Sequence, residues 1–263
     1  HTYNDIISID NLLKAWKEFI MGKKKRKDAQ EFERDLMANI MKLRDDLAVM
    51  SYSHHGYEAF NISDPKPRNI HKASIRDRVL HRALYRILYS FFDKTFISDS
   101  YSCRYDKATY KAIDKFRKFF YKISENNKKT VWVLKCDIRK FFASVSHDIL
   151  KRILKSYITD SKTLSLLWVI IDSFSLKTGT GLPLGNLTSQ LFVNIYMNEF
   201  DQFIKHKLKA KYYIRYADDF VIMSQDKPWL EELLPKIADF LEEKLKLQIH
   251  PDKVFIKTLA SGV

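Results

Sequence analysis

The sequence predicts an α+β fold, one sheet with helices packed on one face, and three observations predict it. The run Val131-Trp132-Val133-Leu134 has strand character and leads into Asp137. Tyr212 to Met223 reads as two strands closed by a tight turn at Ala217-Asp218-Asp219. Helical patterns separate and follow these strands, over about residues 147–157, 161–174 and 188–208 and again from Trp229 to Leu241. The order strand, two helices, hairpin, helix, strand describes an α+β layer.

Along the front half, Ile9, Leu12, Leu13, Trp16 and Ile20 form one helical stripe, and Phe32, Leu36, Ile40, Leu43 and Leu47 form the next. Tyr57–Ile62 and Arg68–His71 flank the turn-forming Asp64-Pro65-Lys66-Pro67 and read as a short hairpin. A helix carries Val79, Leu80, Leu84, Ile87, Leu88 and Phe91 inward, and another, rich in Lys and aromatics, covers about 109–123. Gly179, Gly181, Pro183 and Gly185 break the chain before the helix at 188. A last strand is expected over Gln248–Ile256. The block Lys23-Lys24-Lys25-Arg26-Lys27 falls in an exposed loop, as a solvated helix end or a phosphate contact.

With 46% hydrophobic and 30% charged residues, the chain can bury a sizeable core, which excludes global disorder. No apolar run spans a bilayer, no signal peptide opens the chain and its two lone cysteines suit a reducing cytosol, so a cytoplasmic setting without membrane is expected. Cys103 and Cys136 stand alone, which excludes a disulfide framework and a cysteine zinc cluster. The net charge is +14 and uneven: 27 basic against 17 acidic residues through residue 130, and 19 against 15 after it. Such a front half suits a polyanion, although a basic balance also serves solubility.

Two adjacent carboxylates, Asp218 and Asp219, sit inside an otherwise apolar hairpin. Taken alone the pair is an ordinary turn, since Asp favours turns. In its β context the pair repels itself and sacrifices burial unless a cation neutralises it. Asp137 ends a second strand and precedes Phe141 and Phe142; if the strands are neighbours, Asp137 and Asp218 meet at one sheet edge. Oxygen ligands without His or Cys point to magnesium or manganese. Two such ions about 3.5–4 Å apart activate a hydroxyl and steady a leaving pyrophosphate.

From about Tyr3 to Val263 the chain resembles prokaryotic reverse transcriptases, through six motifs in the family's order. Lys66-Pro67-Arg68-Asn69-Ile70 with Asp77-Arg78-Val79-Leu80-His81 is similar to the first fingers motif, and Ser100-Tyr101-Ser102-Cys103-Arg104 to the second. Asp137-Ile138-Arg139-Lys140-Phe141-Phe142-Ala143-Ser144-Val145-Ser146-His147 is similar to the first aspartate motif of the palm. Gly181-Leu182-Pro183-Leu184-Gly185-Asn186-Leu187-Thr188-Ser189-Gln190 resembles the loop and helix beneath the incoming nucleotide. Tyr216-Ala217-Asp218-Asp219 matches the family tetrapeptide, and His250-Pro251-Asp252-Lys253 resembles the lysine motif after it. The pattern from Leu184 to Gln190 looks most like diversity-generating retroelement enzymes; group II intron enzymes usually have Gln before that glycine.

The resemblance implies the fingers and palm of a right-hand polymerase, with an antiparallel palm sheet. Residues 1 to about 130 would form an N-terminal helical extension and fingers, and residues 131–263 the palm. It implies RNA-directed DNA synthesis from an RNA template, a DNA or RNA primer and deoxynucleoside triphosphates. Asp137, Asp218, Asp219 and the Ile138 carbonyl would hold two Mg2+ ions, with Mn2+ able to substitute, and Lys253 would protonate or neutralise the leaving pyrophosphate. Lys66, Arg68 and Arg104 would bind the triphosphate, whose oxygens suit ammonium and guanidinium donors. Phe142 would pack under the sugar, Tyr216 would support the primer end, and Gln190 would reach template or nucleotide, or only cap its helix. Leu184 and Gly185 would lie near the forming base pair, where an apolar side chain offers no hydrogen bonds and loosens base selection. His54 and His55 have no partner in these motifs and are read as structural or surface residues.

The chain stops at Leu259–Val263, where relatives continue into a primer-gripping segment and a thumb, so a thumbless portion is expected. A missing segment, an accessory protein or a structured RNA would then help to hold the primer-template. Two other functions fit the same fold: protein- or self-primed untemplated DNA synthesis in phage defence, and a non-catalytic RNA-binding module.

Overall fold

A computed structural model describes residues 2–63 and 67–258. The chain forms two compact units, His1–Lys94 with His147–Phe192, and Thr95–Ser146 with Val193–Val263. Each unit is thus built from two stretches of chain. Residues 95–130 cluster with the strands that follow them, and residues 147–192 with the N-terminal helices.

In the first unit the two helices expected over the opening residues are four: α1 (Tyr3–Ile7), α2 (Ile9–Ile20), α3 (Lys27–Arg34) and α4 (Leu36–Ala48). Capping explains the first break. Thr2 and Asp5 form a capping box on α1, and Ser8 accepts from the Asn11 N–H to start α2 afresh. Leu12, Ala15, Trp16 and Phe19 of α2, with Ile40, Leu43 and Leu47 of α4, are buried. The Lys23–Lys27 block follows Gly22 (φ +71°) in a turn, and its last residue begins α3. Strands β1 (Glu58–Ser63) and β2 (Pro67–Lys72) pair antiparallel, from Glu58 opposite Lys72 to Ser63 opposite Pro67. Helix α5 (Ile75–Phe92) starts at Ser74, whose hydroxyl caps the Asp77 N–H.

Two further helices belong here, numbered in chain order after α6 (Thr109–Ile123) and α7 (Phe141–Ser144) of the second unit. They are α8 (His147–Tyr157) and α9 (Ser161–Asp172). Asp160 caps α9 and also accepts from the Tyr3 N–H at 2.6 Å, while Tyr157 packs edge-on to Phe92. This ties residues 147–192 to the N-terminal helices. Helix α10 (Leu187–Gln202) passes from the first unit to the second after Phe192.

The second unit holds a five-stranded sheet in the order β3-β5-β6-β4-β7, formed by β3 (Ser100–Tyr101), β4 (Trp132–Asp137), β5 (Tyr213–Tyr216), β6 (Asp219–Ser224) and β7 (Phe255–Thr258). All pairings are antiparallel except β3 with β5, a two-residue parallel edge. The expected strand over 248–256 is interrupted. Gln248–His250 pair with Asp137–Arg139, a 3-10 turn covers Pro251–Lys253, and β7 begins only at Phe255. Pro251, with no N–H and a fixed φ, cannot continue the ladder.

Alternation decides the layers. Tyr213 and Phe220 meet Phe200 of α10, and Phe240 of α11 (Lys227–Leu245) stacks on Phe203, so α10 and α11 cover one face. In addition α6 lays Ala112, Phe116, Phe119 and Ile123 against Val131, Val133, Ile214 and Met223. Among the described residues no helix is long and apolar enough to cross a membrane.

Candidate active site

Strand register brings the acids together. Asp137, the last residue of β4, lies opposite Asp219, the first residue of β6. Asp218 occupies the turn between β5 and β6, and its carbonyl accepts from the Ile138 N–H at 3.2 Å. Ala217 enters that turn with φ +54°, an unusual conformation for a residue with a Cβ. One rung further, the His250 N–H donates to the Asp137 carbonyl at 2.7 Å, which carries the Pro251–Lys253 turn to the acids. From that turn Lys253 Nζ donates to Asp137 Oδ2 at 2.7 Å.

The electrostatics follow from this crowding. The Asp218 carboxyl is raised above its ordinary value, first by burial. A backbone hydrogen bond and Lys253 act to lower it, while the charges of Asp137 and Asp219 add to the rise. The Lys253 ammonium is raised by its bond to Asp137, with the fields of Asp219 and Asp218 adding. Among the described residues no group of three or more His, Cys, Asp or Glu side chains is already arranged to hold a metal ion. The donor set nonetheless fits a hard divalent cation: three carboxylates and a carbonyl, an excess of negative charge, and one ammonium that partly neutralises it.

A buried ion pair that sequence reasoning missed braces the turn. Arg215, beneath it in β5, is fully buried and bonds Asp201 of α10 twice, at 2.8 Å from Nε and 2.6 Å from Nη2. Its Nη1 reaches the Ala217 carbonyl at 3.0 Å and its Nη2 the Ser100 hydroxyl at 2.9 Å. Tyr213 donates to the same Asp201 at 2.6 Å. The guanidinium thus links the helix, β3 and the turn that carries Asp218. A charged residue at the inward position of an otherwise apolar strand was the available signal.

The other expected site residues are distributed as follows. In the second unit, Tyr216 is partly exposed and its hydroxyl pairs with Thr109 Oγ1 at 3.0 Å. Phe142 is half-buried with its ring edge-on to Phe141. Arg104 gives Nη1 to the Ile97 and Ser100 carbonyls at 2.8 and 2.9 Å and lies over the Phe96 ring, so part of its guanidinium serves the local fold. In the first unit, Arg68 is exposed on β2, opposite Ile62. The Leu184 carbonyl accepts from the His71 N–H at 3.0 Å, and Asn186 Nδ2 donates to the His71 carbonyl at 2.8 Å, which straps the 184–186 loop to that strand. Gly185 sits at φ +95°, and a Cβ there would meet Ile70 Cγ2 at 2.7 Å, so only glycine fits. Lys66 lies outside the described residues.

Gln190 lines a cavity of the first unit with Gly185, Asn186, Lys23, Arg26 and Arg82. Burial lowers the Lys23 ammonium, and the neighbouring Arg82, Arg26 and Arg78 lower it further, a sign of crowded positive charge. Asn186 Oδ1 and His81 Nδ1 are buried there without a hydrogen-bond partner among the described residues. Beneath the cavity, His54 proves structural, its side chain 1% exposed, and His55 a surface residue at 59%. His54 Nε2 lies 3.2 Å from His81 Nε2, and Asp77 accepts from Tyr52 at 2.7 Å and Ser74 at 2.6 Å.

Comparison with known proteins identifies the family. Residues 63–260 match the family model described as reverse transcriptase (RNA-dependent DNA polymerase). The chain is 26% identical over 238 residues to protein YkfC of Escherichia coli strain K12, covering 76% of this chain and 62% of that protein. It is 23% identical over 262 residues to the group II intron-encoded protein LtrA of Lactococcus lactis subsp. cremoris, covering 73% of this chain and 42% of that protein. It therefore spans less than two thirds of either relative. The fold is similar to that of a truncated apo telomerase from Candida tropicalis, with TM-score 0.57 at 15% identity over 77% of this chain and 50% of that one. The match to the family model covers most of the sequence, and the chain belongs to the reverse transcriptase family.

Proposed function

We propose that the chain carries the nucleotidyl-transfer centre of an RNA-directed DNA polymerase. The observation that carries this reading is the pairing of Asp137 with Asp219 beside the Asp218 turn, with Lys253 bonded to Asp137. In the proposed reaction a primer 3′-oxygen bonds to the α-phosphorus of a deoxynucleoside triphosphate, and the bond to pyrophosphate breaks. Asp137, Asp218, Asp219 and the Ile138 carbonyl would hold two divalent cations, magnesium or manganese in its place. When bound, such ions neutralise the reacting phosphates and favour the deprotonated 3′-hydroxyl. Lys253, kept as an ammonium by its carboxylate neighbours, delivers a proton to the departing pyrophosphate.

The remaining residues bind and orient. Lys66, Arg68 and Arg104 take the triphosphate, and Phe142 packs under the sugar and excludes a 2′-hydroxyl. Tyr216 supports the primer end, while Leu184 and Gly185 form an apolar floor near the new base pair. The crowded cations beside Gln190 suit an RNA template. In this reading the second unit is the palm, and β1, β2 and α5 belong to the fingers. The Leu184–Gln190 pattern favours a diversity-generating or related prokaryotic retroelement.

Primer extension on matched RNA and DNA templates tests the proposal. Product sequence dictated by the RNA template supports it. A product of biased composition on either template points instead to untemplated synthesis, and tight RNA binding without synthesis to a binding module.

A further inference from the structure

Next to the carboxylates the second unit carries a cationic pocket to which nothing above assigns a role. Arg139, Lys140 and Lys246 line it, with Ser144, Gln248 and one carboxylate, Glu242. All three residues are exposed, and among the described residues none of their side chains has a hydrogen-bond or carboxylate partner. The pocket follows directly from the strand that ends in Asp137. The Arg139 N–H donates to the Gln248 carbonyl at 2.8 Å, two rungs beyond the contact of His250 with Asp137. Arg139 follows Asp137 by two residues in the turn after β4, so the pocket begins within roughly 7 Å of chain from that acid.

Two lysines of the pocket are also among the eleven described non-glycine residues with positive φ. Lys140 (φ +47°) and Lys246 (φ +53°) both occupy the left-handed region. Lys246 closes α11, a position where glycine is the relaxed choice. The left-handed cap ends α11, and strain of this kind is also found at binding sites. Three unpaired cations on a concave surface match a compact polyanion with several phosphate oxygens.

We propose that Arg139, Lys140 and Lys246 form a polyphosphate subsite that receives pyrophosphate as it leaves the carboxylates. This assignment rests on the polymerase reading for its place in the reaction, but the binding itself does not. The same chemistry is offered by the tail of an intact deoxynucleoside triphosphate, which would enter the pocket before the reaction rather than after it.

Calorimetric titration with inorganic pyrophosphate, in buffer with EDTA so that no metal bridges it to the acids, tests the subsite. A parallel titration uses a non-hydrolysable deoxynucleoside triphosphate. Lys140→Gly and Lys246→Gly each remove a charge and relieve a left-handed backbone. Each should weaken pyrophosphate binding about tenfold while the melting temperature holds or rises, which separates lost binding from lost folding. Glu242→Gln should tighten it. Loss confined to pyrophosphate assigns the product, and equal loss for both ligands assigns the triphosphate tail. Wild-type chain that binds neither ligand, or glycine variants that bind as well as wild type, would overturn the proposal. An inactive chain that still binds pyrophosphate in this way would remove only the polymerase reading.

Discussion

Lys253 Nζ lies 2.7 Å from Asp137 Oδ2, so the lysine that ends the Pro251–Lys253 turn is bonded directly to the first carboxylate of the site. The bond raises the ammonium further above its ordinary value and keeps it protonated at neutral pH. Lys253→Ala should lower single-turnover incorporation about 100-fold with little change in the nucleotide KM. Lys253→Arg should recover part of the rate. Rapid-quench kinetics read both, and an unaltered rate for Lys253→Ala would remove the lysine from the chemistry.

Asp218 carries the opposite burden. Its folded pKa is raised, so its contribution to stability is present at low pH and is lost as pH rises through that value. At neutral pH and without metal the ionised carboxyl destabilises the turn. Asp218→Asn should therefore raise the metal-free melting temperature by about 2–4 °C, while abolishing the stabilisation that added magnesium or manganese gives the wild type. Scanning calorimetry with and without metal measures both effects. A variant that melts earlier than wild type in EDTA contradicts the account.

The pairing of Arg215 with Asp201 yields a stability prediction. Asp201→Asn leaves a guanidinium fully buried with no countercharge, and such a loss costs about 3–5 kcal/mol. Denaturant unfolding should show that loss, and synthesis should fall with it because Ala217 and Asp218 lose their anchor. A decrease below about 1 kcal/mol, the typical cost of losing an ordinary hydrogen bond, would mean that Arg215 is not the brace.

These pairs also mark the limit of what was legible in the sequence. Asp137, Asp218 and Asp219 were readable because acids interrupt apolar strands, and burial makes that costly. The β1–β2 hairpin and α8 were readable because turn residues and a 3.6-residue period are local signals. The Arg215–Asp201 brace was not, since it joins a strand to a helix and depends on their packing. The same holds for the parallel β3 edge and for Arg104, whose carbonyl partners exist only once residues 97–104 fold back. Helix α1 was not legible because the apolar stripe begins only at Ile9, beyond the Ser8 cap that separates the two helices.

His81 predicts a pH dependence of the first unit. Burial pushes it down to about 3, and the nearby His54 adds to this, so the two rings pair as neutral imidazoles. A folded pKa below the unfolded one gives stability that is present above about pH 6.5 and lost as pH falls toward 3. The loss should approach about 1.4 kcal/mol per pH unit. His81→Phe should flatten the slope in urea titrations between pH 7 and 5, and an equal slope in both proteins would show that another group titrates.

Templated DNA synthesis is the reaction proposed for the carboxylates of β4 and the β5–β6 turn. Single-nucleotide extension of a primed RNA template, with each deoxynucleotide supplied alone, tests it most directly. Wild-type protein with magnesium should add only the nucleotide complementary to the template, and Asp137→Ala and Asp218→Ala should each reduce the rate by at least about 1000-fold. Template-directed addition at the wild-type rate by either variant would contradict it.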